Sequence, residues 1–350
     1  MNRQFWTNKK VFITGHTGFK GSWLSLWLQQ LGAQLCGYGL IPTHPQNLYT
    51  LANVGSGMES VMGDIRDLES LSASMRRFQP DLLFHMAAQP LVRYSYDNPI
   101  ETYSTNVIGT VHVLEAARYC NSIKAVINVT SDKCYENKEW VWHYRENDPL
   151  GGYDPYSSSK ACAELVATAY RRSFSQTIAS VRAGNVIGGG DWAQDRLVPD
   201  IIRALMQKKK VFIRNPGAVR AWQHVLEPLR GYLLLAEKLW QNHQFADAWN
   251  FGPNEQDAQP VSAIAQSICR LWGNEAAWVT QNQQSVHEAQ CLKLDISKAR
   301  SQLGWSPCLT LEKGLESLVN WYKACAEHQN MRHITLQQIQ HYQAQCSFEP

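Results

Sequence analysis

Tyr156 and Lys160 stand four residues apart behind Pro155, at the head of a helix-like stretch, so their side chains share one face. A phenol with an unperturbed pKa near ~10 is a poor base at neutral pH, but an ammonium one turn away favours its phenolate. Such a tyrosine can take the proton of a hydroxyl while hydride leaves the same carbon. The spacing alone is common and mostly structural; a glycine-rich turn about 140 residues upstream makes it specific. A second set, Thr130-Ser131-Asp132-Lys133-Cys134-Tyr135, follows the apolar run 125–129. Ligand-facing groups sit at that end of a strand in a parallel sheet. Hydroxyl, carboxyl and amine in sequence make an acid/base set, and Asp132 capping a turn is the equal alternative for the hexapeptide.

The upstream turn is Gly15-His16-Thr17-Gly18-Phe19-Lys20-Gly21, behind the strand-like Val11-Phe12-Ile13-Thr14 and ahead of a helical pattern. Gly15, Gly18 and Gly21 permit a tight turn and a close backbone approach to a pyrophosphate, which the helix N-terminus faces. Thr17, Phe19 and Lys20 belong to the same cofactor loop. The acidic residue that usually follows the second strand and meets a ribose is missing, because that strand runs Gly37-Tyr38-Gly39-Leu40. No arginine stands there for a 2′-phosphate either, which tilts the choice toward NAD. Asp64 and Ile65, after the next short strand, suit an adenine, with Asp64 as the cap of a helix from Leu68 as the competing reading.

The elements that must position these groups form an alternating pattern from residue 10 to about 185, the sequence form of an α/β doubly wound parallel sheet of Rossmann type. Strands are expected at 11–14, 34–38, 81–85, 125–129 and 177–181, with a further one at 248–251. Trp23, Leu24, Trp27, Leu28 and Leu31 share a helical face that Gly32 terminates. Residues 1–184 read as the dinucleotide-binding domain, with return segments near 221–252, and 185–350 as a smaller interleaved substrate domain. The basic run 208–210 reads as a solvated helix end, and the Gln- and His-rich tail from about 328 as loosely attached. The 350 residues carry 33 Lys+Arg against 30 Asp+Glu, too balanced for a nucleic-acid or anionic-membrane partner. No apolar run reaches the roughly 18 residues of a membrane span, and the N-terminus holds no secretory pattern, so a cytoplasmic protein is expected. Nine cysteines without paired spacing suggest neither a zinc site nor a disulfide framework, hence reduced thiols and no metal.

Taken together, Phe5-Trp6, the run from Gly15 to Leu24, Ala87-Ala88-Gln89-Pro90-Leu91-Val92-Arg93 and Trp222-Gln223-His224-Val225 resemble the extended short-chain dehydrogenase/reductase family over nearly the whole chain. Within its nucleotide-sugar branch the pattern is most similar to the CDP-glucose 4,6-dehydratases. The resemblance implies NAD, tightly held and both reduced and reoxidised in one turnover, with Ala87, Ala88, Gln89, Asn106 and Thr130 beside it. For Asn106, a helix N-cap is the reading without the family. It implies that Ser131-Asp132-Lys133 matches the Thr-Asp-Glu run of dTDP-glucose 4,6-dehydratases, with Asp132 as acid. Lys133 replaces the usual Glu base. A lysine accepts a proton only when neutral, so Lys133 is a C5 base, an electrostatic group or an orienter of Asp132. Arg93, Asn185, Val198, Arg214, Arg220 and His224 are the implied contacts to a nucleotide-sugar substrate, and the choice of cytosine rests on the resemblance alone. Helices near 98–120 and 155–173 imply a homodimer or homotetramer. A 4-epimerase or another nucleotide-sugar dehydratase is the alternative within the fold, with a non-catalytic NAD-binding scaffold as the remote one.

Overall fold

The computed structural model describes residues 1–273, 276–280 and 292–346. Strands β1 (Lys10–Thr14), β2 (Gln34–Gly39), β3 (Glu59–Met62), β4 (Leu82–His85), β5 (Ala125–Val129), β6 (Ile178–Ala183) and β7 (Ala248–Phe251) pair in the order β7-β6-β5-β4-β1-β2-β3. Every pairing is parallel, with Val11 opposite both Leu35 and Leu82 and Ile127 opposite Ala179. Buried strands of this kind read as unbroken apolar runs because both faces are covered. Val11, Ile13, Leu82, Phe84 and Ile127 point to one layer, and Phe12, Leu83 and Val126 to the other.

The first layer holds helices α1 (Phe19–Leu31) and α6 (Leu226–Gln241). The second holds α2 (Leu68–Phe78), α3 (Gly109–Arg118) and α4 (Pro155–Ser173). Between these come α5 (Leu197–Met206), and beyond them α7 (Val261–Trp272), α8 (Leu311–Ala326) and α9 (Met331–Cys346). Strand order reverses between β1 and β4, and the crevice outside the carboxyl ends of those strands is where ligands bind in such sheets.

Two expectations are corrected. The tail from 328 is not loosely attached: Met331, Thr335, Ile339 and Tyr342 repeat at helical spacing and are all buried. Tyr342 stands edge-on to Trp27 at 5.7 Å, Trp321 Nε1 donates to Thr335 Oγ1 at 3.0 Å, and Arg332 reaches Gln29 at 2.7 Å. Four apolar or small residues among many glutamines suffice to seat the helix. The cysteines are also not all reduced. Cys308 and Cys346 form a disulfide across a Cα separation of 5.7 Å, joining two points 38 residues apart that only the packing of α9 brings together. Cys36, Cys120, Cys134, Cys162, Cys269 and Cys325 are free, and Cys291 lies outside the described residues.

Candidate active site

A cavity of about 1910 Å³ opens at the crevice. Its first wall is the β1–α1 turn. Gly15 has φ +75°, and a Cβ there would lie 2.7 Å from the backbone N and Cα of Ala87, so the turn presses directly on the chain leaving β4. A Cβ on Gly21 would collide with the Gly15 carbonyl. Gly18 caps α1 with no side-chain acceptor, and Gly18, Phe19, Lys20 and Gly21 line the cavity. The helix N-terminus therefore offers backbone N–H groups to an anion with no side chain in the way, which fits a dinucleotide pyrophosphate. Thr17 Oγ1 ties the turn to Leu40 O at 2.8 Å.

A Cβ on Gly37 would meet the His16 ring, which is buried there, hydrogen-bonded through Nε2 to Ser60 Oγ at 2.7 Å and lowered by burial to about 4. Asp64 and Ile65 line the next part of the wall. The cap reading of Asp64 is corrected: Asp67 caps α2, accepting from Ser70 N at 3.1 Å. Asp64 instead accepts from Arg66, through its backbone N at 2.9 Å and its guanidinium at 2.9 and 3.0 Å, which holds the carboxyl below its usual range. Ala87, Ala88 and Gln89 continue the lining. Asn106 is not an N-cap. It sits inside the helical run in a wide turn at Ser104–Ile108, where its Oδ1 accepts from Gln89 N at 2.8 Å. Its amide donates to Gln89 O at 3.0 Å and to Ser159 Oγ at 2.9 Å. It fixes the wall from behind without lining the cavity.

The floor carries the acid/base groups. Ser131 caps a short turn at Asp132–Cys134, accepting from Lys133 N at 3.2 Å and donating to Asp132 Oδ1 at 2.9 Å. The two readings of this hexapeptide merge, since one serine both caps the turn and touches the carboxylate. Tyr156 and Lys160 rise on the first turns of α4, which Asp154 caps through Ser157 N at 2.9 Å. Ser131 also bears on Tyr156, lowering its phenol, and Thr130, Ser131, Asp132, Lys133, Tyr156 and Lys160 all line the cavity. Burial raises Tyr156 to about 12, against the lowering influence of Ser131 and Arg196. Burial lowers Lys160 to about 8, and Lys160 Nζ donates to Val129 O at 3.4 Å. In the protein alone, then, desolvation of the phenol outweighs Ser131 and Arg196.

Of the expected substrate contacts, Arg93, Asn185, Val198, Arg214 and Arg220 line the cavity. Asp195 sits between Arg93, at 3.4 Å, and Arg214, at 3.2 Å. His224 does not line it. Its ring is buried edge-on to Trp23, accepts from Leu226 N at 3.4 Å, and burial lowers it to about 4. Two residues gain importance from the structure. Arg196, paired with Asp191 at 2.9 Å, bears on Tyr156, and its loop position gave no spacing signal. Lys20, read only as part of the cofactor loop, is half-buried beside Lys160, Asp132, Asp191 and Arg196 and lowered to about 8 by desolvation.

Comparison with known proteins agrees with this geometry. The family model described as GDP-mannose 4,6 dehydratase matches residues 12–318. The chain belongs to that family. It is 53% identical, over 98% of both chains, to a CDP-glucose 4,6-dehydratase of Salmonella typhimurium. A dTDP-glucose 4,6-dehydratase of Xanthomonas campestris is 25% identical over 89% of this chain and 92% of its own. Among solved structures, a dTDP-glucose 4,6-dehydratase from Bacillus anthracis in complex with NAD superposes with a TM-score of 0.77 at 23% identity, covering 93% of this chain and 99% of that one. A Thermotoga maritima UDP-glucose 4-epimerase does so with a TM-score of 0.81 at 21% identity, covering 90% and 99%. At those identities the structural matches establish the family's fold.

Proposed function

We propose that this chain is an NAD-dependent CDP-glucose 4,6-dehydratase, converting CDP-glucose to CDP-4-keto-6-deoxyglucose and water, a step of deoxysugar formation. The near-full-length match to an enzyme of that name carries the reading. The Asp132–Lys133 pair in the cavity supports it, because a 4-epimerase needs no such pair. NAD would be held by the Gly15–Gly21 turn, Asp64, Ile65 and Ala87 to Gln89, and when bound would supply a reversible hydride acceptor for the C4 oxidation and the C6 reduction. Arg66, beside Asp64 and Ile65 on the cavity wall, is occupied by Asp64, which supports NAD over a 2′-phosphorylated form.

The protein's own groups move the protons. Tyr156 takes the C4 hydroxyl proton, and with its pKa pushed up to about 12 it needs cationic help, which Arg196 gives in the protein alone and the Lys160 ammonium one turn along α4 gives in this mechanism. The resulting 4-ketone acidifies C5–H. Asp132, oriented by Ser131, gives a proton to the C6 hydroxyl, which leaves as water. Lys133 accepts the C5 proton or stabilises the enolate charge. Arg93, Arg214 and Arg220 supply forks for the substrate diphosphate. A homodimer is supported by the exposed apolar side chains of the two adjacent helical runs, Ile100 at 84% and Leu165 at 58% exposure; light scattering reads it directly.

The test is incubation of the purified protein with CDP-glucose in deuterated water, followed by NMR and mass spectrometry. A 4-keto-6-deoxy product with deuterium at C5 is expected. An unchanged sugar, with dTDP-glucose, UDP-glucose or GDP-mannose converted instead, would overturn the substrate.

A further inference from the structure

The acid/base segment 130–135 is gripped at both ends by one buried ion pair. Glu164 and Arg182 meet in a two-point fork, Nε to Oε1 at 2.9 Å and Nη2 to Oε2 at 3.0 Å, with side chains only 2% and 3% exposed. At the head of the segment, Thr130 Oγ1 donates to Glu164 Oε1 at 2.5 Å and to Val181 O at 3.2 Å. At its tail, Arg182 Nη1 donates to the Tyr135 hydroxyl at 2.7 Å and to Glu146 O at 3.0 Å, and the guanidinium lies 4.8 Å from the Tyr135 ring centroid. Tyr135 in turn donates to Asn250 Oδ1 at 2.8 Å, anchoring the tail to β7.

Glu164 is four residues beyond Lys160, and so eight beyond Tyr156, on the same face of α4. One helix thus carries the base, its ammonium and the carboxylate that holds the opposite half of the floor. A buried ion pair is weak support for stability, since desolvation cancels much of its attraction. Its worth here is geometric, as catalytic groups misplaced by about 1 Å can lose ~100-fold in rate.

We propose that Glu164 and Arg182 are positioning residues for the reaction proposed above, fixing Thr130 and Tyr135 so that Ser131, Asp132 and Lys133 face Tyr156 and Lys160 across the cavity. Their charge contributes a second effect. Lys160 is faced by Lys20 from α1, His85 from β4, Cys134 from the segment itself and Glu164 from its own helix. Glu164 is the carboxylate of that set and favours the ammonium.

Two variants of the full-length protein test this. Glu164→Gln leaves a buried guanidinium without its anion and risks misfolding, so Glu164→Gln/Arg182→Met, which removes both charges, accompanies it. The expected result for the double variant is near-native melting, a fall in kcat of about tenfold or more with KM within about twofold, and faster amide exchange over 130–135 but not in β3. Wherever Glu164→Gln folds, its alkaline activity limit moves to lower pH. Wild-type kcat and wild-type exchange over 130–135 in the double variant would overturn the proposal. So would a joint fall of melting, kcat and KM quality with faster exchange everywhere, the mark of a merely structural pair. The exchange arm needs no substrate, so if the wild-type protein fails to convert CDP-glucose the functional reading falls while the clamp is still decided.

Discussion

Raising the pH through 8 will remove catalysis by taking the proton from Lys160. Burial lowers this lysine from 10.5 to about 8, with Glu164 working in the opposite direction. In the proposed mechanism its ammonium supports the Tyr156 phenolate, a phenol that burial makes harder to ionise. Below pH 8 the ammonium is present. Above it, with Tyr156 already ionised in the cofactor-loaded enzyme, kcat/KM falls about tenfold per unit with the Lys160 ammonium, to roughly a tenth of its plateau at pH 9 and a hundredth at pH 10. A lysine at its ordinary pKa would hold activity nearly level to about pH 10. The loss is not unfolding: a lysine whose pKa is depressed in the folded state costs stability while charged, so its contribution improves as pH rises through 8. The assay is product formation at subsaturating sugar nucleotide from pH 6 to 10, with a thermal melt at each pH. Lys20, also lowered to about 8, titrates in the same window, so the profile is repeated with Lys20→Met. A limb that persists in Lys20→Met and vanishes in Lys160→Met assigns it to Lys160. A wild-type limb lying above pH 10, or one lost with Lys20 alone, would refute the reasoning.

Tyr156→Phe removes the base and should abolish turnover while NAD stays bound; retention of most activity would remove Tyr156 from that role. Lys133→Ala should allow C4 oxidation, seen as reduced cofactor in a single turnover, yet block C5 exchange with deuterated water. Water elimination at the normal rate would make Lys133 structural. Gly15→Ala drives a Cβ into the Ala87 backbone at a positive φ, so cofactor affinity measured by calorimetry should drop by tenfold or more, about 1.4 kcal/mol. Unchanged affinity would mean the turn does not cradle the dinucleotide. Glu227, 1% exposed, accepts from Cys308 N, Leu309 N and the Tyr342 hydroxyl, yet burial raises it from 4.5 to about 7. Its contribution is full below pH 4.5 and is lost as pH rises through 7, by up to about 3 kcal/mol. The melting temperature of Glu227→Gln relative to wild type should therefore climb between pH 5 and 8; a constant difference would contradict the shift.

The sequence by itself determined the sheet and the two signatures on it. Unbroken apolar runs such as Val11 to Ile13 and Ala125 to Val129 can only be buried on both faces, and residues four apart, such as Tyr156 and Lys160, must share a helix face. These are local facts, set by the pitch of one element. The glycine turn was equally legible, since Gly15 needs a conformation that other residues resist. What the tertiary structure decided were relations between elements. His224 looked like a substrate contact beside Arg220, and packing turned its ring into the core against Trp23. The sequence offered Asp64 as the cap of α2, and the path of the chain gave the helix to Asp67 and the cavity wall to Asp64. Asn106 became a clamp on Gln89 because the chain beyond β4 and Ser159 on α4 both lie against it. Arg196, Lys20 and the Glu164–Arg182 pair act on residues far from them in sequence. Their effects depend on distance and on the water excluded around them, and neither quantity exists until the elements are packed.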